Sequence, residues 1–205
     1  MKTAVMNPLQ TNCFILIADS KGIIFDPSAD NGNNVDRILK KCEGIDIEAI
    51  VLTHGHIDHI SGVEPLLEHF EVPVYIHQTD QEYLLNNNLN LASQVQPDFT
   101  WNTKTEPLDE GQVKIGSFEF NVVLTPGHTP GSVSLFYQDA VFSGDVLFKM
   151  SMGRTDLPGG SNQQMRQTLD YFLNLEEDYT VYCGHGEITQ LSFEQKYNPY
   201  LRGIY

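Results

Sequence analysis

The stretch THGHIDHISG, Thr53 to Gly62, places His54, His56, Asp58 and His59 within six residues of a chain that has seven histidines in all. A polar turn has no need of four metal-competent side chains, so metal binding is the natural reading. Side chains two apart in an extended segment point the same way, so His54 and His56 can grip one ion. Asp58 and His59, further round the turn, can face a second. The mixture of imidazole and carboxylate suits Zn²⁺, and a structural zinc site would favour thiolates, which this stretch lacks.

Two ions need more ligands, and three other loops offer them. TPGHTPGS supplies His128, FSGD supplies Asp145 and YCGHGE supplies His185, each following an apolar run and lying in or beside a glycine-containing turn. Loops of that kind gather at one edge of a sheet, the usual place for ligands. The count then closes: His54, His56 and His128 for one ion, Asp58, His59 and His185 for the other, Asp145 between them. Two zinc ions are expected, with iron or manganese as alternatives. A pair about 3.5–4 Å apart lowers the pKa of bound water, and one ion can polarise a carbonyl or phosphoryl oxygen. Asp58 has a second expected role, orienting the attacking hydroxide or taking its proton. Lys149 and Arg154 follow Asp145 closely, and two cations there could hold a substrate carboxylate. The competing reading for Arg154 is a local salt bridge to Asp156. His69 and His77 have no such company and read as packing or surface residues. Gly127, Gly131 and Gly184 read as backbone geometry around the ligands.

These loops require strands to carry them. CFILIAD and GIIFDPS read as antiparallel strands turning at Ser20-Lys21-Gly22. NNVDRILKKCEG has Val35, Ile38, Leu39 and Cys42 at helical spacing. EAIVLT reads as a strand buried on both faces. SGVEPLLEHF reads as a helix with Ser61 as N-cap and Pro65 in its first turn. PVYIHQTD is a short strand, whereas the segment from Gln81 to Pro107 is weakly patterned, with one helical turn at QEYLLNN. GQVKIG and SFEFNVVLTP pair across Gly116-Ser117, and SVSLFY and AVFSGD across Gln138-Asp139. SNQQMRQTLDYFLNL is the clearest helix, with Ser161 and Gln164 as a capping box. YTVYCGH is a last strand, and SFEQKYNPYL is a terminal helix with Ser192 and Gln195 as a second capping box. No repeat or linker interrupts this, so residues 1–205 are expected to form one layered α/β domain.

Composition excludes several classes. The net charge of −15, from 27 acidic and 12 basic side chains, repels phosphate backbones and argues against nucleic acid. No apolar run is long enough to span a bilayer, and the N-terminus does not read as a signal peptide. Cys13, Cys42 and Cys183 form no C-x-x-C pair, so reduced thiols in a cytoplasmic protein are expected, Cys13 and Cys42 acting as small apolar side chains.

His54-Gly55-His56-Ile57-Asp58-His59, followed in order by TPGHTPGS, FSGD and CGHGE, resembles the metallo-β-lactamase superfamily over nearly the whole chain. The resemblance implies a four-layer αββα sandwich, two mixed sheets with helices outside. Asp145 in place of a cysteine, SMGRTDLPGG after it and the terminal EQKYNPYL are most similar to the glyoxalase II-like group, especially its short bacterial members. That implies a dinuclear metallohydrolase cleaving a small-molecule thioester of the S-2-hydroxyacylglutathione type, with a basic residue at Arg154 contacting glutathione. The absent cysteine speaks against β-lactam hydrolysis. Full-length members continue into a helical domain that helps bind glutathione; here about twenty residues follow His185, which leaves the thiol carrier open. GRTD is also similar to persulfide dioxygenases, in which His56, His128 and Asp145 would hold one iron. Lactone or phosphodiester hydrolysis is a further alternative on the same scaffold.

Overall fold

The computed structural model describes residues 1–29 and 35–203. The first sheet runs β1 (Lys2–Met6), β2 (Thr11–Ala18), β3 (Lys21–Phe25), β4 (Asp46–Val51), β5 (Val74–Ile76) and β6 (Glu106–Pro107), antiparallel as far as β3 and parallel beyond it. The second has β7 (Gly111–Ile115), β8 (Phe118–Leu124), β9 (Val133–Tyr137) and β10 (Ala140–Gly144) as an antiparallel meander. A small separate hairpin, β11 (Leu147–Phe148) and β12 (Ser151–Met152), follows β10. The sheet is completed by β13 (Thr180–Cys183), parallel to β10, and β14 (Thr189–Gln190).

Alternation along the strands makes the layers. In β2, Phe14 and Leu16 face the second sheet while Cys13 and Ile15 face outward, and in β4 Ala49 and Val51 point in while Ile50 points out. Between the sheets these residues meet Phe118, Phe120, Val122 and Phe142, with Phe25 and Phe142 stacked at 3.9 Å between ring centroids. The outer face of the first sheet is covered by α1 (Asp36–Cys42), α2 (Ile57–Ile60) and α3 (Val63–Leu67) through Ile38, Ile57, Ile60, Val63 and Leu66. Between β5 and β6 lie a 3₁₀ turn (Gln78–Asp80), α4 (Gln81–Leu85) and α5 (Ala92–Val95). Over the second sheet α6 (Asn162–Leu173) buries Met165, Leu169 and Phe172, beside α7 (Leu191–Tyr197) and its Leu191. The four-layer sandwich is therefore the observed architecture.

Several local expectations change. β1 was not foreseen in the sequence, and the first hairpin turns at Asp19-Ser20, both in the left-handed region (φ 49° and 63°), one residue before the expected turn. Asn33 and Asn34 of the first expected helix lie outside the described residues. The expected helix from Ser61 shortens to α3, with Pro65 inside it, and a separate turn of helix, α2, precedes it. Ser61 ends α2 and is not the N-cap of α3, a place Gly62 takes: the Ser61 hydroxyl exchanges hydrogen bonds with the backbone of Ala29 (3.0 and 3.2 Å), and Gly62 N–H donates to the Pro27 carbonyl (2.9 Å). The chain breaks its helix to grip the end of β3. At α6 the Ser161 hydroxyl accepts from Gln164 N–H, as expected. The second capping box does not form, because α7 starts two residues early, with Gln190 at its N-cap. Ser192 donates to Asp178, and the Gln195 amide donates to the Phe172, Leu173 and Leu175 carbonyls, closing the end of α6 instead.

Candidate metal centre

His54 and His56 occupy the turn after β4 and Asp58 and His59 the short helix α2 that follows it, His128 the β8–β9 loop, Asp145 the residue after β10, and His185 the residue next but one after β13. The four loops meet at one edge of the sandwich. One atom from each of His54, His56 and His128 forms a set within 4.8 Å of one another, and so does one from each of Asp58, His59 and His185. Asp145 stands between the sets: Oδ1 is 3.3 Å from His59 Nε2, and Oδ2 is 3.5 Å from His128 Nε2 and 3.3 Å from His185 Nε2. All seven residues expected from the sequence are thus brought together.

Four of the imidazoles are anchored through Nδ1, which turns Nε2 toward the cluster. His54 Nδ1 lies 3.1 Å from the Thr53 hydroxyl, His59 Nδ1 3.0 Å from Asp26 Oδ2, His128 Nδ1 2.7 Å from the Arg154 carbonyl and His185 Nδ1 3.1 Å from the Leu9 carbonyl. Each anchor is an acceptor, which places the proton on Nδ1. His56 is the reverse case, with Nδ1 turned to His128 Nε2 at 2.8 Å. Buried His54 Nε2, His56 Nε2, His59 Nε2 and Asp145 Oδ1 make no hydrogen bond; the 3.3 Å approach of Asp145 to His59 lacks the alignment of one. So many orphaned buried donors and acceptors in one cluster would be costly for a polar core. They fit a divalent ion, whose ligands are nitrogen and carboxylate oxygen.

Burial, with the neighbouring histidines, pushes the His54 imidazole well below its ordinary pKa and His56 down to about 3. Around the other trio the signs reverse. Burial alone would lower His185, but Asp145 and Asp58 outweigh it and raise it to about 9; burial of His59 is likewise overridden by Asp145, Asp58 and Asp26, so it rises. Burial opposes ionisation of Asp58 and Asp145, yet His59 and His185 hold Asp58 at about 2 and Asp145 well below the carboxylate range. Protons on His59 and His185 there take the place of a cation.

Two buried carboxylates were missed in the sequence. Asp26 accepts from Thr53 N–H and the Thr53 hydroxyl (both 2.7 Å) and holds His59, so one carboxylate orients a histidine of each trio. The signal was available, since Asp26 ends the apolar run GIIF just as Asp145 follows AVFSG. Asp80, the last residue of PVYIHQTD and the end of the 3₁₀ turn, accepts from Gly55 N–H, Gly131 N–H and the Thr129 hydroxyl. Two glycines serve close approach: a Cβ on Gly184 would lie 2.1 Å from Asp145 Oδ1, and one on Gly153 1.8 Å from the Asp145 carbonyl oxygen.

A cavity of about 550 Å³ opens onto the cluster, with Leu9, Ile57, Leu91, Val95, Phe148 and Met152 as its apolar wall. Phe148 and Met152 come from the β11–β12 hairpin, which buried Glu194 and Asn198 at the end of the chain tie down through Met150 N–H (2.8 Å) and the Ser151 carbonyl (3.0 Å). The segment after α4 supplies Leu91 and Val95, so part of the 81–107 region builds the cavity. Arg154 also lines it, but its guanidinium forms a two-pronged pair with Asp156 (2.7 and 2.8 Å), as the competing reading had it. Lys149 is paired with Glu187 and is not part of that wall.

The fold and this cluster define a metal-dependent hydrolase class, and comparison with known proteins gives it a family. Residues 6–185 match the metallo-beta-lactamase superfamily. The chain belongs to that superfamily. It is 37% identical to YqgX, a probable metallo-hydrolase of Bacillus subtilis, over 97% of this chain and 96% of that protein. It is 31% identical to the hydroxyacylglutathione hydrolase GloC of Haemophilus influenzae, over 94% and 93%. Among solved structures, the BLEG-1 B3 metallo-beta-lactamase superposes with a TM-score of 0.89 at 38% identity, covering 98% of both chains. TTHA1623 in a di-iron-bound form gives 0.86 at 32%, covering 98% of this chain and 100% of that one. Among the described residues, no helix is long and apolar enough to cross a membrane.

Proposed function

We propose that this protein is a dinuclear zinc hydrolase of small-molecule thioesters, of the S-2-hydroxyacylglutathione type. The observation that carries it is the pair of trios with Asp145 shared between them, opening on a largely apolar cavity. Divalent ions bound there would supply hydroxide at neutral pH and polarise the substrate carbonyl.

The chain's own groups do the rest. Asp58, its Oδ2 3.1 Å from the Thr11 hydroxyl and 3.2 Å from His185 Nε2, is held to orient the nucleophile and take its proton. The apolar wall keeps water from the reacting carbonyl and seats the arms of the substrate. Arg154 sits where a substrate carboxylate can exchange for Asp156. Likeness to GloC supports the thioester, and likeness to the di-iron TTHA1623 supports iron as a second metal to load. Likeness to a solved B3 metallo-beta-lactamase weighs against excluding lactams, so a lactam belongs in the same assay. We read residues 1–205 as one catalytic domain. The three unpaired, buried cysteines favour the cytoplasm, and the acidic charge favours a small molecule over nucleic acid.

The test is hydrolysis of S-D-lactoylglutathione by zinc-reconstituted protein beside Asp58→Ala. Turnover lost in the variant supports the thioesterase. Lactam turnover alone would move the substrate class. One iron per chain with oxygen uptake on a persulfide would replace hydrolysis by dioxygenation.

A further inference from the structure

Asp80 is fully buried, and its carboxylate bonds to Gly55, Thr129 and Gly131, none of them among the seven clustered residues. Its partners lie on two separate loops, and both loops serve the same trio. Oδ2 accepts from Gly55 N–H at 3.0 Å, and Gly55 stands between His54 and His56. The same oxygen accepts from the Thr129 hydroxyl at 2.7 Å, and Oδ1 accepts from Gly131 N–H at 2.7 Å, on either side of Pro130 and directly after His128. A Cβ on Gly131 would lie 2.5 Å from Asp80 Oδ1, so the loop is pressed against the carboxylate. Behind it, the α4 residue Tyr83 lays its ring 5.9 Å from that of His56 and donates its hydroxyl to the Pro158 carbonyl at 2.8 Å. No hydrogen bond or ion pair runs from Asp80 to Asp58, His59 or His185. Those residues are braced from elsewhere, by Asp26, Thr11 and the Leu9 carbonyl.

We infer that Asp80 is a positioning residue for one metal site alone, the His54/His56/His128 trio, holding its two loops at ligand distance. The inference rests on the proposed two-ion centre. Three donors converge on two carboxylate oxygens, and an amide in their place cannot accept from all three. Asparagine must turn its NH₂ toward either Gly55 and Thr129 or Gly131, setting donor against donor. Either Gly131 or the Gly55 and Thr129 pair then loses its acceptor, and the spacing of that trio is less firmly enforced. Loss of a partner that orients ligands costs about 10–100-fold in metal affinity.

The experiment counts bound zinc by mass spectrometry after dialysis against a chelator buffer, in four forms: wild type, Asp80→Asn, Asp58→Ala and the double variant. Circular dichroism establishes that each metal-free form is folded. The expected result is two ions in wild type, one in each single variant and none in the double variant. A folded Asp80→Asn protein that keeps both ions, or loses both, overturns the inference, because a general structural role would weaken the two sites alike. Wild type that holds no zinc or iron removes the two-ion reading itself, and the inference falls with it. Should Asp80→Asn not fold, Thr129→Val removes one of the three donors. It is expected to weaken one ion severalfold in chelator competition and leave the other within about twofold; equal weakening of both would overturn the inference.

Discussion

The two halves of the metal cluster are built from similar side chains and held in opposite electrostatic states. His54 and His56 are buried among imidazoles and kept neutral, ready to ligate without losing a proton. His59 and His185 are buried against Asp58, Asp145 and, for His59, Asp26, and they retain protons past neutrality. Neighbours set the sign, because burial acts on all four in the same direction. One half is a preformed neutral site, and the other is closed by protons that an ion must displace.

The largest effect expected is at Asp58, the carboxylate of the proton-holding half. Asp58→Ala should lower kcat by about 10²–10⁴-fold in metal-loaded protein, the range for a proton-transfer group. Near-native turnover at full metal content would remove the acid–base role of that half. Next comes Asp26, which reaches into both halves. Asp26→Asn should weaken both ions by about 10–100-fold, read by chelator competition, in contrast to the single-site loss expected at Asp80. A one-ion loss at Asp26 would show that its bond to His59 matters and its path through Thr53 to His54 does not.

The pH dependence sharpens the contrast directly. With His185 raised to about 9, an ion entering its trio at pH 7 must expel protons, so affinity there should climb as pH rises and level off near 9. His56, held at about 3, imposes no such cost, and the other trio should respond less between pH 6 and 9. Calorimetry in buffers of different ionisation heat would show proton release for one ion and little for the other; equal release would erase the distinction. The smallest change expected is Thr11→Val, which removes the 3.1 Å hydrogen bond to Asp58 and should lower kcat by about tenfold with both ions retained.

What was legible in the sequence follows from what local pattern can carry. The clustering was open to reading because each of the four stretches that meet there follows an apolar run, and a strand's end is where a loop meets the sheet edge. The layers followed from apolar runs such as FILI and AIVL, whose alternate residues serve two cores. Ser61 and Ser192 were misread because a serine before an apolar stretch looks alike whether it caps its own helix or bonds a distant segment. Asp80 could not be read at all. Its partners, Gly55, Thr129 and Gly131, lie far off in the chain, two of them giving backbone N–H groups, which sequence does not distinguish. Arg154 shows the same limit, since its carbonyl, not its guanidinium, reaches His128.

Leu9 presents two faces to the same centre. Its carbonyl oxygen orients His185, while its side chain, 57% exposed, forms part of the cavity wall. Every residue type offers that carbonyl, so position 9 can change its side chain without loosening the histidine. The cavity wall can therefore drift at this position, by ordinary point substitution, while the orientation of His185 is inherited intact.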